Sequence, residues 1–235
     1  MKKTIIAFII IIFCGNISRA QELTVEYNFG YGTYCMRDLK YYLEGINPLY
    51  SGREFENLKI TDNFPGNWTH QLKLGIEMKK SHNIGVSIDF MNTAGQKAIS
   101  DYSGSYNFTY RTKGKRLGLF YRVSPYSWFP GVVRPYFMLT AGVVLSKDRL
   151  EERLVLDDTP FLDENLSLKG AIAFTEPALG CKIRVHENFA LNLNAGYHID
   201  LDKIYKYRNN NVFEIPTWGG LRFQGGVVFY IPLSK

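Results

Sequence analysis

The chain has 235 residues, of which 46% are hydrophobic and 15% aromatic, and its formal net charge at pH 7 is +6. The length allows one or two domains, and three cysteines are too few for a disulfide framework. Lys2, Lys3 and Arg19 supply half of the charge excess, so the chain after residue 20 carries only +3. This small excess gives no reason to expect nucleic-acid binding.

The first twenty residues have the pattern of a secretory signal peptide. A basic start at residues 1–3 precedes an almost purely apolar run at residues 5–13, and small residues follow at positions 18–20. We therefore predict a signal peptide at residues 1–20 and a mature domain at residues 21–235. No later stretch approaches the ~20 continuous apolar residues that a membrane helix needs.

The cysteines leave one alternative for the N-terminus. Cys14 could be the lipidated residue of a lipoprotein signal, although Phe13 is larger than the residue that usually precedes such a cysteine. Cys35 and Cys181 are far apart in the chain, and Cys181 lies on an apolar face, where it behaves as a small hydrophobic residue. Neither a metal site nor a cofactor is expected from these residues.

Eight segments alternate apolar and polar residues with a period of two, which predicts β-strands with one apolar and one polar face. In chain order the segments are residues 22–34, 71–79, 84–90, 116–123, 136–145, 179–185, 189–200 and 221–231. The fifth segment is apolar on both faces, so its orientation is the hardest to assign. In the last segment, Leu221, Phe223 and Phe229 alternate with Arg222 and Gln224.

The connections between these segments are short at one end and long at the other. Segments two and three, and six and seven, are joined by short turns, while residues 124–134 form a somewhat longer turn. The long connections are residues 35–65, 95–115, 146–168 and 202–218. Part of this length, such as residues 106–111, still has a strand-like pattern and could extend past a membrane surface. This asymmetry predicts an all-β fold: an eight-stranded antiparallel up-and-down transmembrane β-barrel with short periplasmic turns and long extracellular loops.

Alternation alone does not separate a membrane barrel from a soluble, lipocalin-like barrel, because both have one apolar and one polar face. Glycines separate them: each segment has at least one glycine on its polar face, as in Gly75, Gly118 and Gly196. Glycine weakens a strand and usually marks crowding, and an eight-stranded barrel is just wide enough for side chains to fill it. The polar face is therefore predicted to point inward and the apolar face to meet lipid.

The inward face carries charges of both signs, which can pair with one another in a closed lumen. The residues predicted to form this luminal network are Glu26, Lys73, Glu77, Asp89, Arg116, Arg122, Lys182, Arg184, His198, Asp200 and Arg222. With eight strands, a wide aqueous channel is not expected. A narrow pore that prefers anions remains the alternative to a filled lumen.

The signal peptide, the eight segments and the closing run at residues 224–231 resemble the outer-membrane β-barrel (porin-like) protein family. The closing run is similar to the terminal assembly signal of that family, and the resemblance implies that Gln224, Gly226, Phe229 and Ile231 are bound by the barrel assembly machinery. It also implies a location in the bacterial outer membrane, among lipid and lipopolysaccharide. Many family members end on an aromatic residue, whereas residues 232–235 (Pro-Leu-Ser-Lys) follow here.

Some barrels of this class are enzymes, and a histidine is a candidate base for such a site. Only His198 has inward parity, and Asp200 follows on the same face, so the pair could act as a base and its orienting carboxylate. Barrel lipid A deacylases resemble a different pattern, His-x-Ser, with a serine where Asp200 stands. No zinc-type spacing, phosphate loop or nucleophile elbow is present. The more favoured interpretation is a structural network without catalytic residues.

The sequence thus predicts a non-enzymatic integral outer-membrane protein with a structural, surface-interaction or limited-permeability role. A barrel enzyme that modifies envelope lipids and a soluble lipocalin-like binder are the alternatives. An extracellular ligand bound through residues 35–65 and 146–168 is a further expectation, because the first of these segments is rich in aromatic residues. The acidic residues of the second could hold a divalent cation, but they lack regular calcium-ligand spacing.

Overall fold

The computed structural model describes residues 20–45, 49–50, 53–54, 59–78, 81–102, 104–129, 132–156, 159–204 and 216–233. The predicted signal peptide lies outside the described residues, except for Ala20, which begins the first strand. Within the described part, no helix is long and apolar enough to cross a membrane.

The described chain contains eleven strands and one helix. In chain order they are β1 (Ala20–Gly32), α1 (Arg37–Gly45), β2 (Leu49–Tyr50), β3 (Arg53–Glu54), β4 (Lys59–Asn63), β5 (Asn67–Met78), β6 (His82–Asp101), β7 (Gly104–Val123), β8 (Val133–Leu156), β9 (Thr159–His186), β10 (Phe189–Ile204) and β11 (Gly220–Pro232). Strands β2 and β3 pair with each other, and β4 pairs with β6.

The remaining eight strands form a closed antiparallel ring, in the order β1, β5, β6, β7, β8, β9, β10 and β11. The first and last strands close it along nearly their whole length, from Glu22 opposite Pro232 to Gly32 opposite Arg222. Closure satisfies the backbone groups of both edges, which a strand inside a bilayer requires. The predicted eight-stranded up-and-down barrel is confirmed.

Burial alternates along each strand with the predicted phase. Inward side chains such as Glu26, Asn28 and Asp89 are completely buried, while the outward Leu74 and Leu193 are half exposed or more. The outward side chains of β8 are apolar from Phe137 to Leu145. We call this outward apolar zone of the ring the membrane belt. Its apolar side chains are exposed on the outside of the barrel, as a lipid-facing surface requires.

The structure corrects two of the predicted loops. Most of residues 95–115 and 146–168 belongs to strands β6 to β9, which continue far above the membrane belt. The strands stay paired as far as Asp101 opposite Gly104 and Leu156 opposite Thr159. In these extensions the polarity is reversed: Tyr110 and Leu150 point inward, whereas Lys113 points outward. The period of two persists, but an apolar inner face replaces the apolar outer face.

The barrel consequently has two unequal halves. The tall half contains β6, β7, β8 and β9, with 20, 20, 24 and 28 residues. The short half contains β10, β11, β1 and β5, with 16, 13, 13 and 12 residues. The inner surface of the tall half is exposed on one side of the barrel mouth unless another element covers it.

Helix α1, which the sequence reading placed within a long loop, covers part of that surface. Its Leu39 and Leu43 lie one turn apart and are buried, while Tyr41 is 69% exposed. The two leucines belong to an apolar cluster, here called the outer core, that fills the barrel mouth. Its members are Tyr34, Met36, Leu39, Leu43, Phe64, Met91, Tyr106, Phe108, Tyr110, Val144, Leu150, Leu154, Ile172, Phe174 and Trp218.

Candidate functional site

The lumen holds the charged residues that were predicted from the sequence. Nine of them are buried, and Arg184 and Asp200 are half-buried. The buried nine are Glu26, Lys73, Glu77, Asp89, Arg116, Arg122, Lys182, His198 and Arg222. They form two clusters, one nearer the periplasmic turns and one below the outer core.

The lower cluster is centred on Glu26 of β1. Arg122 of β7 donates two hydrogen bonds to its carboxylate, at 2.5 Å and 2.8 Å. Lys182 of β9 lies 3.2 Å from the same carboxylate and 3.8 Å from Glu77. Glu77 also pairs with Arg134 at 3.4 Å. Because these partners come from opposite sides of the ring, the ion pairs cross the lumen rather than line it.

Aromatic rings and a thioether complete the lower cluster. The guanidinium of Arg122 lies 4.5 Å from the ring centre of Tyr136 and 5.4 Å from that of Phe120. Lys73 donates to the sulfur of Met138 at 3.5 Å. Cations over aromatic faces gain electrostatic energy when they are desolvated. The cluster therefore fills space as well as balancing charge.

The upper cluster is centred on Arg116 of β7. Arg116 donates to Asp89 at 2.8 Å and makes a two-contact ion pair with Glu176 of β9. Arg222 of β11 approaches the same Glu176 carboxylate, with its Nε at 3.2 Å. Strands of both halves thus meet at one carboxylate, which links the tall half to the short half inside the barrel.

His198 belongs to the upper cluster, and both of its ring nitrogens are occupied. Arg116 can only donate, so His198 Nδ1 accepts its hydrogen bond at 3.1 Å. Nε2 must then carry the proton, and it donates to Asp200 at 3.0 Å. The imidazole is fully buried and stacked on Phe174, with ring centres 4.8 Å apart. No nitrogen of this ring is free to accept a proton from a substrate.

Asp200 is held by the backbone on its other side. Its second oxygen accepts a hydrogen bond from the Gly219 N–H at 3.0 Å. The predicted pair of His198 and Asp200 is therefore brought together by the fold, but as a link between β10 and the segment before β11. An orienting carboxylate is present without a nucleophile in contact with the histidine.

Glu176 is a charged residue of the lumen that was not predicted from the sequence. It lies on the inward face of β9, two residues before Ala178, and Pro177 interrupts the pattern between them. A proline cannot donate to a ladder, and the β9–β10 pairing is broken at this point, between Ala178 and Thr175. Glu176 is six residues before Lys182 and therefore on the same face of the strand. This spacing could have predicted that Glu176 points inward.

Trp218 closes the lumen above the upper cluster and was also missed. It precedes β11 in the short half, and its indole N–H donates to Ser146 of β8 at 2.8 Å. Tyr34 contacts the indole edge-on at 5.2 Å between ring centres. A Cβ at Gly114 of β7 would lie 2.9 Å from this indole, so a glycine is needed where the ring meets the tall half. Trp218 is completely buried.

One carboxyl lies within the outer core, above the membrane belt. Asp148 of β8 is buried and accepts a hydrogen bond from Thr112. Burial raises the pKa of Asp148 to about 6, and the Thr112 hydrogen bond opposes part of that rise. This group is therefore close to titration at mildly acidic pH.

The acidic residues of the predicted 146–168 loop do not form a cation site in the described part of the chain. Glu151 pairs with Arg149 at 2.9 Å, and Glu152 accepts a hydrogen bond from Tyr106 at 2.8 Å. The described residues contain no group of three His, Cys, Asp or Glu side chains that could hold a metal ion.

The predicted assembly-signal residues divide between the two faces of β11. Gln224 and Gly226 point inward, while Phe229 and Ile231 point outward and are about half exposed. A Cβ at Gly226 would overlap the Asn28 side chain on β1. Glycine is thus required here for closure of the ring, whatever else binds this strand; binding by the assembly machinery stays a prediction.

Comparisons with known proteins find similarity in structure alone. No protein-family profile and no curated protein sequence matches the chain. The outer membrane protein OprG of Pseudomonas aeruginosa is 11% identical, with a TM-score of 0.46 over 91% of this chain and 97% of that one. Neisserial surface protein A is 11% identical, with a TM-score of 0.39 over 88% and 96%. The outer membrane protease OmpT of Escherichia coli is 10% identical, with a TM-score of 0.36 over 90% and 95%.

At these identities and TM-scores no activity transfers from the similar proteins to this chain. The fold follows from its own strand pairing: a closed ring of eight antiparallel strands with an apolar belt outside and paired charges inside. This protein is a β-barrel of the type that spans the bacterial outer membrane, which is also the location predicted from its sequence.

Proposed function

We propose that this protein is a closed, non-enzymatic outer-membrane barrel whose function is exercised at the cell surface by its tall half. The observation that carries this proposal is that clusters of buried side chains occupy successive levels of the lumen. The lower cluster around Glu26, the upper cluster around Arg116 and the outer core with Trp218 follow one another along the barrel. Transport through the lumen is then not its role.

The charges of the lumen support a plug rather than a pore. In a conducting barrel, luminal charges are solvated and need no partners, whereas the side chains of Glu26, Arg116 and Arg122 are at most 1% exposed. Removing one partner of a buried ion pair costs about 3–5 kcal/mol, because the other charge stays buried without compensation. Spontaneous opening would need several such pairs to separate together.

The tall half supports a role in surface interaction. Its four strands rise above the membrane belt, and α1 and the outer core stiffen them from the inside. Its outer surface carries exposed polar and charged side chains in a fixed sheet geometry. Rigid, exposed surfaces of this kind bind partners without a large loss of conformational entropy.

The geometry around His198 supports the non-enzymatic part of the proposal. A general base needs a free nitrogen within hydrogen-bond reach of the proton that it removes. Here Arg116 and Asp200 occupy both nitrogens, and Phe174 covers the ring face. The cluster has the composition of a structural ion-pair network.

Single-channel recording in planar bilayers tests closure directly. We expect no stable conductance steps from the wild-type protein, and none from Trp218→Ala, because the two charged clusters below Trp218 remain in place. A porin reconstituted in the same lipid is the positive control. Stable steps from the wild-type barrel would overturn the proposal.

Mass spectrometry of lipid A tests the absence of catalysis. We expect cells that produce the wild-type protein, His198→Ala or Asp200→Asn to have the same lipid A, provided that each variant migrates as a folded barrel in unheated gels. A lipid A modification present with the wild type and lost in both variants would favour the barrel-enzyme alternative instead.

A further inference from the structure

The outer surface of the tall half carries a cluster of cations just above the membrane belt. Lys113 of β7 lies directly opposite Lys147 of β8, and Lys147 lies directly opposite Lys169 of β9. Two residue pairs higher, and so on the same face of the sheet, Arg111 lies opposite Arg149. With Lys115 at the lower edge, these residues form what we call the basic face: Arg111, Lys113, Lys115, Lys147, Arg149 and Lys169.

The basic face is dense. Neighbouring strands lie about 4.8 Å apart, so the row of three lysines spans about 10 Å, and the next row on the same face is about 7 Å away. All six side chains are exposed. Like charges directly opposite one another destabilise a sheet. A row of three lysines across three strands therefore has a cost in the isolated protein.

Little within the described chain compensates this charge. Arg149 pairs with Glu151 at 2.9 Å. For Lys113, Lys147 and Lys169, no carboxylate of the described residues lies within 4.0 Å. Several described carboxylates are engaged elsewhere, in the lumen or with Tyr106. The surface that results has a net positive charge and attracts anions from outside the chain.

The position of the basic face indicates the source of that anion. Leu117 and Leu145 are the uppermost residues of the membrane belt on β7 and β8, and Lys115 and Lys147 follow them immediately on the same face. Lys115 also lies over the ring of Phe90, at 6.0 Å from its centre. The cations are thus at the level where the apolar chains of the outer leaflet end and its headgroups begin.

We propose that the basic face binds the phosphorylated headgroups of lipopolysaccharide in the outer leaflet. Lysines bind phosphate as compact charges, and arginines add paired hydrogen bonds. Two phosphates on one lipid A headgroup match a surface that presents several cations in two rows. The short half ends instead in exposed Tyr31, Trp68 and Leu221, so lipopolysaccharide would be ordered on one side of the barrel.

The test compares two triple variants of the full mature chain in uncharged detergent micelles. One is Lys113→Gln, Lys147→Gln, Lys169→Gln; the other, with the same loss of charge, changes three exposed cations elsewhere: Arg37→Gln, Lys59→Gln, Arg153→Gln. Native mass spectrometry measures retention of bisphosphorylated lipid A. We expect the basic-face variant to bind roughly tenfold to a hundredfold more weakly than the wild type, and the control variant within about twofold.

Two further probes identify the ligand chemistry. Lipid A without phosphates is expected to bind all three proteins equally weakly, and inorganic pyrophosphate at the lipid's concentration is expected not to displace lipid A. Equal retention by the wild type and the basic-face variant would overturn the proposal, as would displacement by pyrophosphate. The inference depends on the outer-membrane location but not on a closed lumen. Conductance through the barrel would therefore contradict the closed lumen without contradicting lipid A binding, and the reverse also holds.

Discussion

The tall and short halves of this barrel follow the same strand pattern but differ in where that pattern stops. In the short half the strands end close to the top of the membrane belt, with outward Tyr31 and Leu221 near the rim. In the tall half the strands continue, and the apolar residues move from the outer to the inner face. A sheet can thus pass from lipid to water without a break, provided that its polarity reverses at the boundary.

The reversal needs an inner partner, which the two halves supply differently. Above the belt, the tall half packs its apolar inner face against α1 and Phe64, while the short half contributes Trp218 across the mouth. Below this level, Glu176 joins Arg116 of the tall half to Arg222 of the short half. Besides the backbone pairing of β5 with β6 and of β9 with β10, side chains join the halves by an apolar contact above and by buried charge below.

The largest effect is expected when the charged link between the halves is broken. Glu176→Ala leaves Arg116 and Arg222 buried with less compensation, and we expect a loss of about 3–5 kcal/mol in the free energy of unfolding. Guanidinium unfolding in lipid vesicles, followed by tryptophan fluorescence, measures it. Glu176→Gln keeps the side-chain volume and one acceptor oxygen, so we expect a smaller loss in the free energy of unfolding. A loss below 1 kcal/mol for Glu176→Ala would mean that this buried charge adds little to the backbone pairing that joins the halves.

A smaller effect is expected when the cover of the tall half is loosened. Leu43→Ala removes a side chain that is 1% exposed in the outer core, and we expect about 2–4 kcal/mol less protection of α1. Hydrogen exchange of the α1 amides measures this opening. Tyr41→Ala, on the exposed side of the same helix, is the matched control and should change protection by less than about 0.5 kcal/mol. Equal effects of both variants would contradict the packing of α1 described here.

The smallest effect concerns the carboxyl in the outer core of the tall half. Because folding raises the pKa of Asp148 from 3.8 to about 6, its protonated form favours the folded state. That contribution is complete below about pH 4 and is lost as the pH rises through 6. We expect Asp148→Asn to stabilise the barrel by about 2 kcal/mol at pH 7.5, and not at pH 4. The same unfolding assay at the two pH values measures it, and a gain independent of pH would contradict it.

The sequence predicted the membrane-spanning part well and the outer part poorly. The alternation of Leu119 and Tyr121 with Arg122, for example, identified both a strand and its lipid face. Above the belt, Tyr106 and Tyr110 alternate with Asn107 and Arg111 just as regularly, but the apolar residues have the opposite phase. Residues 106–111 therefore look strand-like in the sequence alone, but the reversed phase hides the full length of the strands and the apolar inner face of their upper parts.

Helix α1, Glu176 and Trp218 illustrate a different limit. Two leucines one turn apart are a weak helix signal, a proline beside Glu176 interrupts a strand pattern, and a single tryptophan in a long connection has no period at all. Each acquires its role only from partners that are distant in the chain: the tall half for α1, Arg222 for Glu176, and Ser146 for Trp218.

The sequence by itself determined that this chain forms a barrel and which face meets lipid, because a period of two is a local property of the backbone and a bilayer imposes it on every spanning strand. The tertiary structure alone decided which charges pair, how far each strand rises and which lysines meet in one row. Those features depend on the register between neighbouring strands, and register is fixed by the whole ring rather than by any one segment.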